Sequence, residues 1–230
     1  PYASKVLMDA SSEIYADGLE TGNGGLVVLW AQEQTIFNGS IYARGGSLGG
    51  DGGLVETSGL EGLLVESGFV ETVAPLGKIG EWLLDPNFLW IGSGGPSCSP
   101  STGGCTTSSA SGNANNSCYV NFSGSGSSMT FQAYYDIHVN QNINMTGGAS
   151  IAFSGCGPAL SLYISNNITT NSGSISMPSN GNCYLANSVT LTTQSGTISL
   201  YNVDSISDFN GGKDLTISAG SGNVNYTTNL

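Results

Sequence analysis

Apolar residues in the first ninety positions form short clusters that are separated by glycine doublets and polar turns, as in GGLVVLWAQEQTIFNGSIYARGGSLGGDGGLVETSG at 24–59. Short runs of alternating apolar and polar residues, bounded by Gly, Asn, Asp or Ser, predict β-strands. Helices are disfavoured, because no stretch keeps an apolar i, i+3, i+4, i+7 pattern for three turns and glycine interrupts nearly every window. The predicted strands in this part are Leu26–Trp30, Thr35–Phe37, Ser40–Ala43, Gly53–Glu56, Leu63–Val65, Trp82–Leu84 and Phe88–Ile91.

The second half of the chain contains an internal repeat with a period of 23 to 26 residues. Each unit has an apolar strand residue, a few polar residues, a glycine and then a second apolar pair. The four aligned segments are NINMTGGASIAF at 142–153, NITTNSGSISM at 167–177, TLTTQSGTISL at 190–200 and TISAGSGNVNY at 216–226. The alignment predicts three sets of equivalent positions: Ile143, Ile168, Leu191 and Ile217; Ile151, Ile175, Ile198 and Val224; Phe153, Met177, Leu200 and Tyr226.

This repeat predicts an all-β solenoid, since a single coil cannot bury its apolar side alone and coils therefore stack. A leucine-rich repeat is excluded by its missing Leu/Asn consensus, and an antiparallel sandwich would not explain the near-constant period. The best fit is a parallel β-helix of roughly nine or ten coils, on the order of 45 Å long. Gly-Gly doublets are then corners where the absence of a Cβ lets one coil lie over the next, and Asn and Ser form polar ladders at turns.

Composition and charge narrow the possible partners. The 230 residues are 39% hydrophobic, enough for a core, and carry a formal net charge of −12. Nucleic acid and anionic membrane surfaces are disfavoured, because the four basic residues are too few and too dispersed to neutralise phosphates. No apolar run approaches the roughly 20 residues that span a bilayer. The basic residues are Lys5, Arg44, Lys78 and Lys213.

The chain divides into three parts by composition. Residues 1–91 form a β-helix segment, 92–128 a Gly/Ser/Asn-rich and cysteine-containing insertion, and 129–230 the coils with the repeat. Neither an initiator Met nor a signal peptide is present, so we expect an excised piece or a mature fragment.

The first segment resembles filamentous haemagglutinin-like exoproteins of the two-partner secretion (TpsA) family. The matching combination is VVLWA at 27–31, NGSIYARGG at 38–46, GGDGGLVETSG at 49–59 and GKIGEWLLDPNFLWI at 77–91. It covers about a third of the chain closely, and the repeat in 137–230 is similar to the looser coils of such proteins. The cysteine-containing insertion departs from the family pattern.

The resemblance implies a right-handed β-helix within a secreted filament at the surface of a Gram-negative bacterium. Such proteins cross the outer membrane through a dedicated transporter and act as adhesins, haemagglutinins or toxin stalks. We therefore expect an adhesive module without catalysis or cofactor, whose partners are the transporter and a surface glycan or protein receptor. The family's NPNG- and NPNL-type motifs do not occur here, so the fragment is expected to start inside or after the secretion domain.

Two alternatives stay open beside the adhesin: a polysaccharide-degrading β-helix enzyme and a passive stalk for a distal toxin domain. The enzyme would use paired carboxylates, for which Asp204 and Asp208 are the candidates. A Ser-His-Asp triad would need His138, the only histidine, which we interpret instead as a strand residue. Glutamates at 56, 61, 66 and 71 could form a calcium ladder, but we interpret them as solvated outward positions.

Cysteines and exposed aromatics complete the candidates. Five cysteines indicate an oxidising compartment, and because five is odd, at least one is free or pairs outside the chain; some or all could instead be unpaired buried thiols. Cys98 and Cys105 would close a short loop, for which Cys118 could compete, and Cys156 and Cys183 could lie on adjacent rungs. For contact with sugars we select Trp90, Tyr134 and Tyr135, while Trp30 and Trp82 are expected in the core.

Overall fold

The computed structural model is a parallel β-helix, which confirms the predicted fold. Within the described residues every regular element is a β-strand, and the strands stack into about seven coils with three sides each. The structure describes residues 2–60, 62–65, 67–91, 127–145, 147–155, 157, 160–201 and 212–227, and the backbone of the strands Cys98–Ser99, Gly104–Cys105, Ser117–Val120 and Ser207–Asp208.

Side 1 is an eight-stranded parallel sheet whose eight strands are separated by seven turns of the solenoid. In strands such as Glu81–Leu84 and Ser128–Ala133, buried residues alternate with half-buried ones, so one set faces the interior and the other faces outward. The strands are β3 (Leu26–Ala31), β6 (Leu54–Gly59), β9 (Glu81–Leu84), β14 (Ser128–Ala133), β17 (Ile151–Gly155), β20 (Ile175–Ser176), β23 (Ile198–Tyr201) and β26 (Val224–Thr227).

Side 2 consists of a three-stranded and a six-stranded sheet that follow one another along the axis. The three-stranded sheet contains β1 (Lys5–Met8), β4 (Gln34–Phe37) and β7 (Gly62–Leu64). The six-stranded sheet contains β10 (Phe88–Ile91), β13 (Ser117–Val120), β15 (Asp136–Val139), β18 (Leu160–Ile164), β21 (Gly181–Leu185) and β24 (Ser207–Asp208).

Side 3 is divided into a three-stranded and a four-stranded sheet. Along the chain, the insertion lies between the last strand of the first sheet and the first strand of the second. The strands are β2 (Glu13–Tyr15), β5 (Ser40–Tyr42) and β8 (Phe69–Glu71), then β16 (Ile143–Asn144), β19 (Ile168–Thr169), β22 (Val189–Thr192) and β25 (Leu215–Ser218).

The repeat alignment predicted the register of the stacked strands correctly. Ile143 pairs with Ile168, Ile168 with Leu191 and Leu191 with Ile217 on side 3. On side 1 the chain of partners runs Ile151, Ile175, Ile198 and Val224. All but the terminal positions of these two rows are buried, and they form one core that is continuous along the axis.

Polar ladders at the corners hold successive coils in register, as expected. Ser150 N donates to Ser128 Oγ at 3.1 Å, and Ser174 N donates to Ser150 Oγ at 2.9 Å. At another corner Asn167 N donates to Asn142 Oδ1, and Asn167 Oδ1 accepts from Thr190 N. Each ladder satisfies backbone groups that no strand pairs at a corner.

The insertion contributes one strand to the solenoid. Within it, β11 (Cys98–Ser99) and β12 (Gly104–Cys105) pair antiparallel, whereas β13 pairs parallel with β10 and also contacts β7. Regular coiling resumes at Ser128, where β14 pairs directly with β9. Ser127 Oγ closes the corner by donating to Val70 O and accepting from Thr72 N.

Two expectations from the sequence were wrong. The solenoid has about seven coils, not nine or ten, and side 1 is roughly 34 Å high. The number is lower because the insertion adds no full coil and because the early coils are long: Leu54 lies 28 positions after its partner Leu26. Trp30 is half-buried and packs edge-to-face on Tyr2 at 5.0 Å, outside the core. Trp82 is fully buried as expected, and its Nε1 donates to Thr57 Oγ1.

Candidate functional site

A column of stacked rings runs parallel to the solenoid axis on the outer surface of side 2. His138, Tyr163 and Tyr184 occupy the same register position in β15, β18 and β21. Their neighbours along the strands are buried, and strand alternation therefore turns these three rings outward. The centroids of the His138 and Tyr163 rings are 4.5 Å apart, and those of Tyr163 and Tyr184 are 5.1 Å apart. We call these three residues the ring column.

Two exposed tyrosines lie at the corner that precedes the ring column. Tyr134 and Tyr135 have 38% and 47% of their surface exposed, and their rings meet edge-to-face at 4.6 Å. Tyr135 stacks on Phe88 of the preceding coil at 4.9 Å, and its backbone N donates to Asn87 O. In the next coil, Gly157 packs against Tyr134, since a Cβ there would overlap the carbonyl oxygen of Tyr134. The backbone on both sides thus holds these rings in place.

Polar side chains form a parallel row beside the ring column. Asp136, Ser161 and Asn182 share one register position, two residues before the rings. Burial raises the pKa of Asp136, and the hydrogen bond with Ser161 opposes that rise. The site therefore presents ring edges beside hydroxyl, amide and carboxyl groups on a rigid sheet.

Two rings of the column, those of His138 and Tyr163, are uncharged at physiological pH. Burial lowers the pKa of His138 to about 4, so the imidazole carries no charge near neutrality. Burial, and secondarily the charge of Asp136, raise the pKa of Tyr163, so the phenol stays protonated. Neutral rings beside hydrogen-bonding groups suit a ligand with both apolar and hydroxyl-bearing surfaces.

A second cluster, of charged and aromatic side chains on side 3, connects three consecutive coils. Arg44 donates to Asp17 through Nε at 3.1 Å and Nη2 at 2.6 Å, and it reaches Glu71 at 3.4 Å. Its guanidinium lies 4.9 Å from the Tyr42 ring centroid, and Tyr42 stacks on Tyr15. Because the two carboxylates satisfy the cation from both neighbouring coils, this cluster is explained by stability alone.

The Gly-rich corner at the start of side 1 forms an open groove. Asp51 N donates to Asn23 Oδ1, and Lys78 N donates to Asp51 Oδ1, both at 2.8 Å. Asp51 thus serves a corner ladder, and we assign it no ligand.

The glutamates proposed as a calcium ladder do not share one side. Glu56 lies on side 1 and accepts from Ser58 Oγ, whereas Glu71 lies on side 3 beside Arg44. Glu61 and Glu66 lie outside the described residues. In the part of the chain that the structure describes, no group of three His, Cys, Asp or Glu side chains could hold a metal ion.

The other proposed carboxylates and the cysteines fall largely outside the described side chains. Asp204 is not described, and for Asp208 only the backbone is, in β24 opposite Leu185. The backbone of β11 and β12 sets Cys98 opposite Cys105, while Cys118 pairs in register with Leu89. Cys156 is not described. Cys183 is a buried free thiol whose pKa burial raises to about 12.

Of the three aromatics selected from the sequence, Tyr134 and Tyr135 lie in contact with each other, and only the backbone of Trp90 is described. Trp90 shares the register position of His138 in β10, although its side chain lies outside the description. Tyr163 and Tyr184 were missed. The signal was available in the triplets LWI at 89–91, IHV at 137–139, LYI at 162–164 and CYL at 183–185, each with a ring between two inward residues.

Comparisons with known proteins leave the family open. No family model matches the chain, and a search of curated proteins gives no match. None of the described residues belongs to a helix that is long and apolar enough to span a membrane.

Proposed function

We propose that this chain is a structural and adhesive module of a secreted bacterial surface filament. The observation that carries the proposal is the ring column with its exposed corner tyrosines, displayed on a rigid parallel β-helix. A solenoid presents an extended surface whose length grows with each coil, which suits attachment at a distance from the cell. In this proposal, contact with a surface glycan or protein receptor occurs at Tyr134, Tyr135 and the ring column.

The resemblance of residues 24–91 to filamentous haemagglutinin-like exoproteins supports the cellular setting. We propose secretion to the surface of a Gram-negative bacterium through a two-partner-secretion transporter in the outer membrane. Such a passage suits a chain of this kind, because coils can form one after another as they emerge and each coil contacts only its neighbours.

A polysaccharide-degrading enzyme is the second candidate, and the stalk for a distal toxin is the third. The enzyme would again use Asp204 and Asp208, whose side chains lie outside the description. One specific observation favours keeping it: the same surface that would bind a glycan lies on side 2, and β24 with Asp208 belongs to that side.

Binding to a glycan array, measured with reducing-sugar release from the same glycans, separates these functions. The adhesin predicts binding without release, and the enzyme predicts release. A double variant, Tyr134→Ala with Tyr135→Ala, should abolish binding. Tyr226→Ala is the matched control, since Tyr226 is 51% exposed on the last coil, away from the site. Absence of both binding and release would refute an adhesin that binds these glycans and would favour the stalk over the enzyme.

A further inference from the structure

The ring column is elongated along the solenoid axis, and this orientation restricts the shape of a ligand that can bind to all three rings. One ring lies on each of three consecutive coils, so the column extends roughly 10 Å along the axis from first to last ring. Stacked rings cover each other's faces, with interplanar angles of 10° for the first pair and 22° for the second. The column therefore offers a strip of ring edges, and a ligand that uses all of it must be elongated along the axis.

The row of Asp136, Ser161 and Asn182 runs parallel to this strip at the same spacing between coils. An elongated ligand would thus meet a strip of ring edges and a row of hydrogen-bonding side chains that repeat together, about 4.8 Å per coil. A linear glycan has matching chemistry, because each sugar ring carries C–H groups and hydroxyl groups in a regular repeat. A globular partner would have no reason to follow such a repeat.

The net charge of the chain determines which class of glycan can bind at this site. The chain carries a net charge of −12, and its residues from 93 onward contain one basic side chain, Lys213. Sulfated or carboxylated glycans would be repelled by this field, because no cluster of cations on these coils offsets it. His138 does not supply a cation either, since its pKa is about 4.

We propose that the ring column and its polar row bind a linear, uncharged glycan that lies along the solenoid axis, with Tyr134 and Tyr135 contacting one end. This inference rests on the proposed adhesive function and adds the class and orientation of the ligand. Tyr163 is the central contact, because it stacks on both other rings.

Isothermal titration calorimetry on the full chain tests the proposal with cellohexaose and chitohexaose as probes, beside cellobiose, chitobiose and a heparin hexasaccharide. At least one uncharged hexasaccharide should bind at least tenfold more tightly than its disaccharide, and heparin should not bind. Tyr163→Ala should weaken hexasaccharide binding at least tenfold. Tyr42→Ala is the matched control, because it removes an equally stacked ring from side 3 and should leave binding unchanged.

Folding and function are separated by further readouts. If Tyr163→Ala lowers the thermal midpoint, Tyr135→Ala provides the second variant, since its exposed ring can be removed without opening the core. Equal affinity for hexasaccharide and disaccharide would overturn the axial orientation, and tighter binding of heparin would overturn the class. Failure of both uncharged hexasaccharides to bind would overturn the whole inference. Array binding of another glycan would still leave the adhesive function standing.

Discussion

Replacing Gly52 by Ala tests why glycine doublets occur at the corners. Gly52 precedes β6, and a Cβ built on it would overlap the carbonyl oxygen of Thr72 and the backbone nitrogen of Gly80. The backbone around it must therefore move by roughly 1.5 Å before the methyl group reaches an ordinary contact. That movement would disrupt two hydrogen bonds, in which Gly52 N donates to Lys78 O at 2.8 Å and Gly80 N donates to Thr72 O at 2.9 Å.

The expected loss follows from those contacts. Two hydrogen bonds contribute about 1 kcal/mol each to stability, and the displaced atoms lose dispersion contacts of about 0.1–0.2 kcal/mol per pair. Gly52→Ala should therefore lower the free energy of unfolding by about 3 kcal/mol. Gly148→Ala is the control, since a Cβ there meets Ile79 Cδ1 at 3.5 Å and Ser172 Oγ at 3.8 Å, both ordinary contacts.

Urea unfolding, followed by far-UV circular dichroism, measures both variants against the parent chain. Gly148→Ala should be neutral or stabilising by up to about 1 kcal/mol, because Ala restricts the unfolded chain. If Gly52→Ala unfolds at the same urea concentration as Gly148→Ala, the close approach of coils is not the reason for glycine at this corner.

Three further predictions concern titratable groups. Arg44→Met should lower the free energy of unfolding in urea by about 1–2 kcal/mol, since one half-exposed ion-pair cluster and one cation–π contact are lost. Because Arg44 holds the pKa of Asp17 below 3.8, the parent's extra stability should be full above about pH 4 and disappear as the pH falls below it. An equal difference between the two chains at pH 2 would contradict this. The pKa of His138 is about 4 in the folded chain and near 6.5 in the unfolded chain, so the chain should lose stability as the pH falls from about 6.5 to 4. His138→Phe should remove that loss. An imidazole NMR titration midpoint near 6.5 would refute the burial of the ring. Cys183 should resist iodoacetamide at pH 8 until urea unfolds the chain, as followed by mass spectrometry, and rapid labelling of the native protein would show that the thiol is accessible.

The sequence predicted a β-solenoid, the positions that share a rung, and the corner ladders. These follow from local patterns: strand alternation has a period of two, turns use Gly, Asn and Ser, and equivalent core residues recur once per coil. The register of Ile143, Ile168 and Leu191 could be read from the alignment, because stacking places chemically similar side chains directly above one another.

The candidate site was only partly predictable. Tyr134 and Tyr135 were selected as isolated exposed aromatics, but nothing in their neighbourhood along the chain links them to Phe88, which is more than forty residues away. Tyr163 and Tyr184 were missed because the alignment compared sides 1 and 3 of the coils and left side 2 out. Aligning the strands of side 2 as well would have revealed the ring column.

Only the tertiary structure determined the features that depend on how many residues each coil contains. It set the number of coils, placed β13 of the insertion beside β10, and put Glu56 and Glu71 on different sides. It also joined Asp17, Arg44 and Glu71 into one cluster, since residues one coil apart become neighbours only when each coil has closed. Local alternation and recurrence in the sequence thus determined most of the residues that face the core, with Trp30 as an exception, whereas coil length and the path of the insertion determined which outward residues meet.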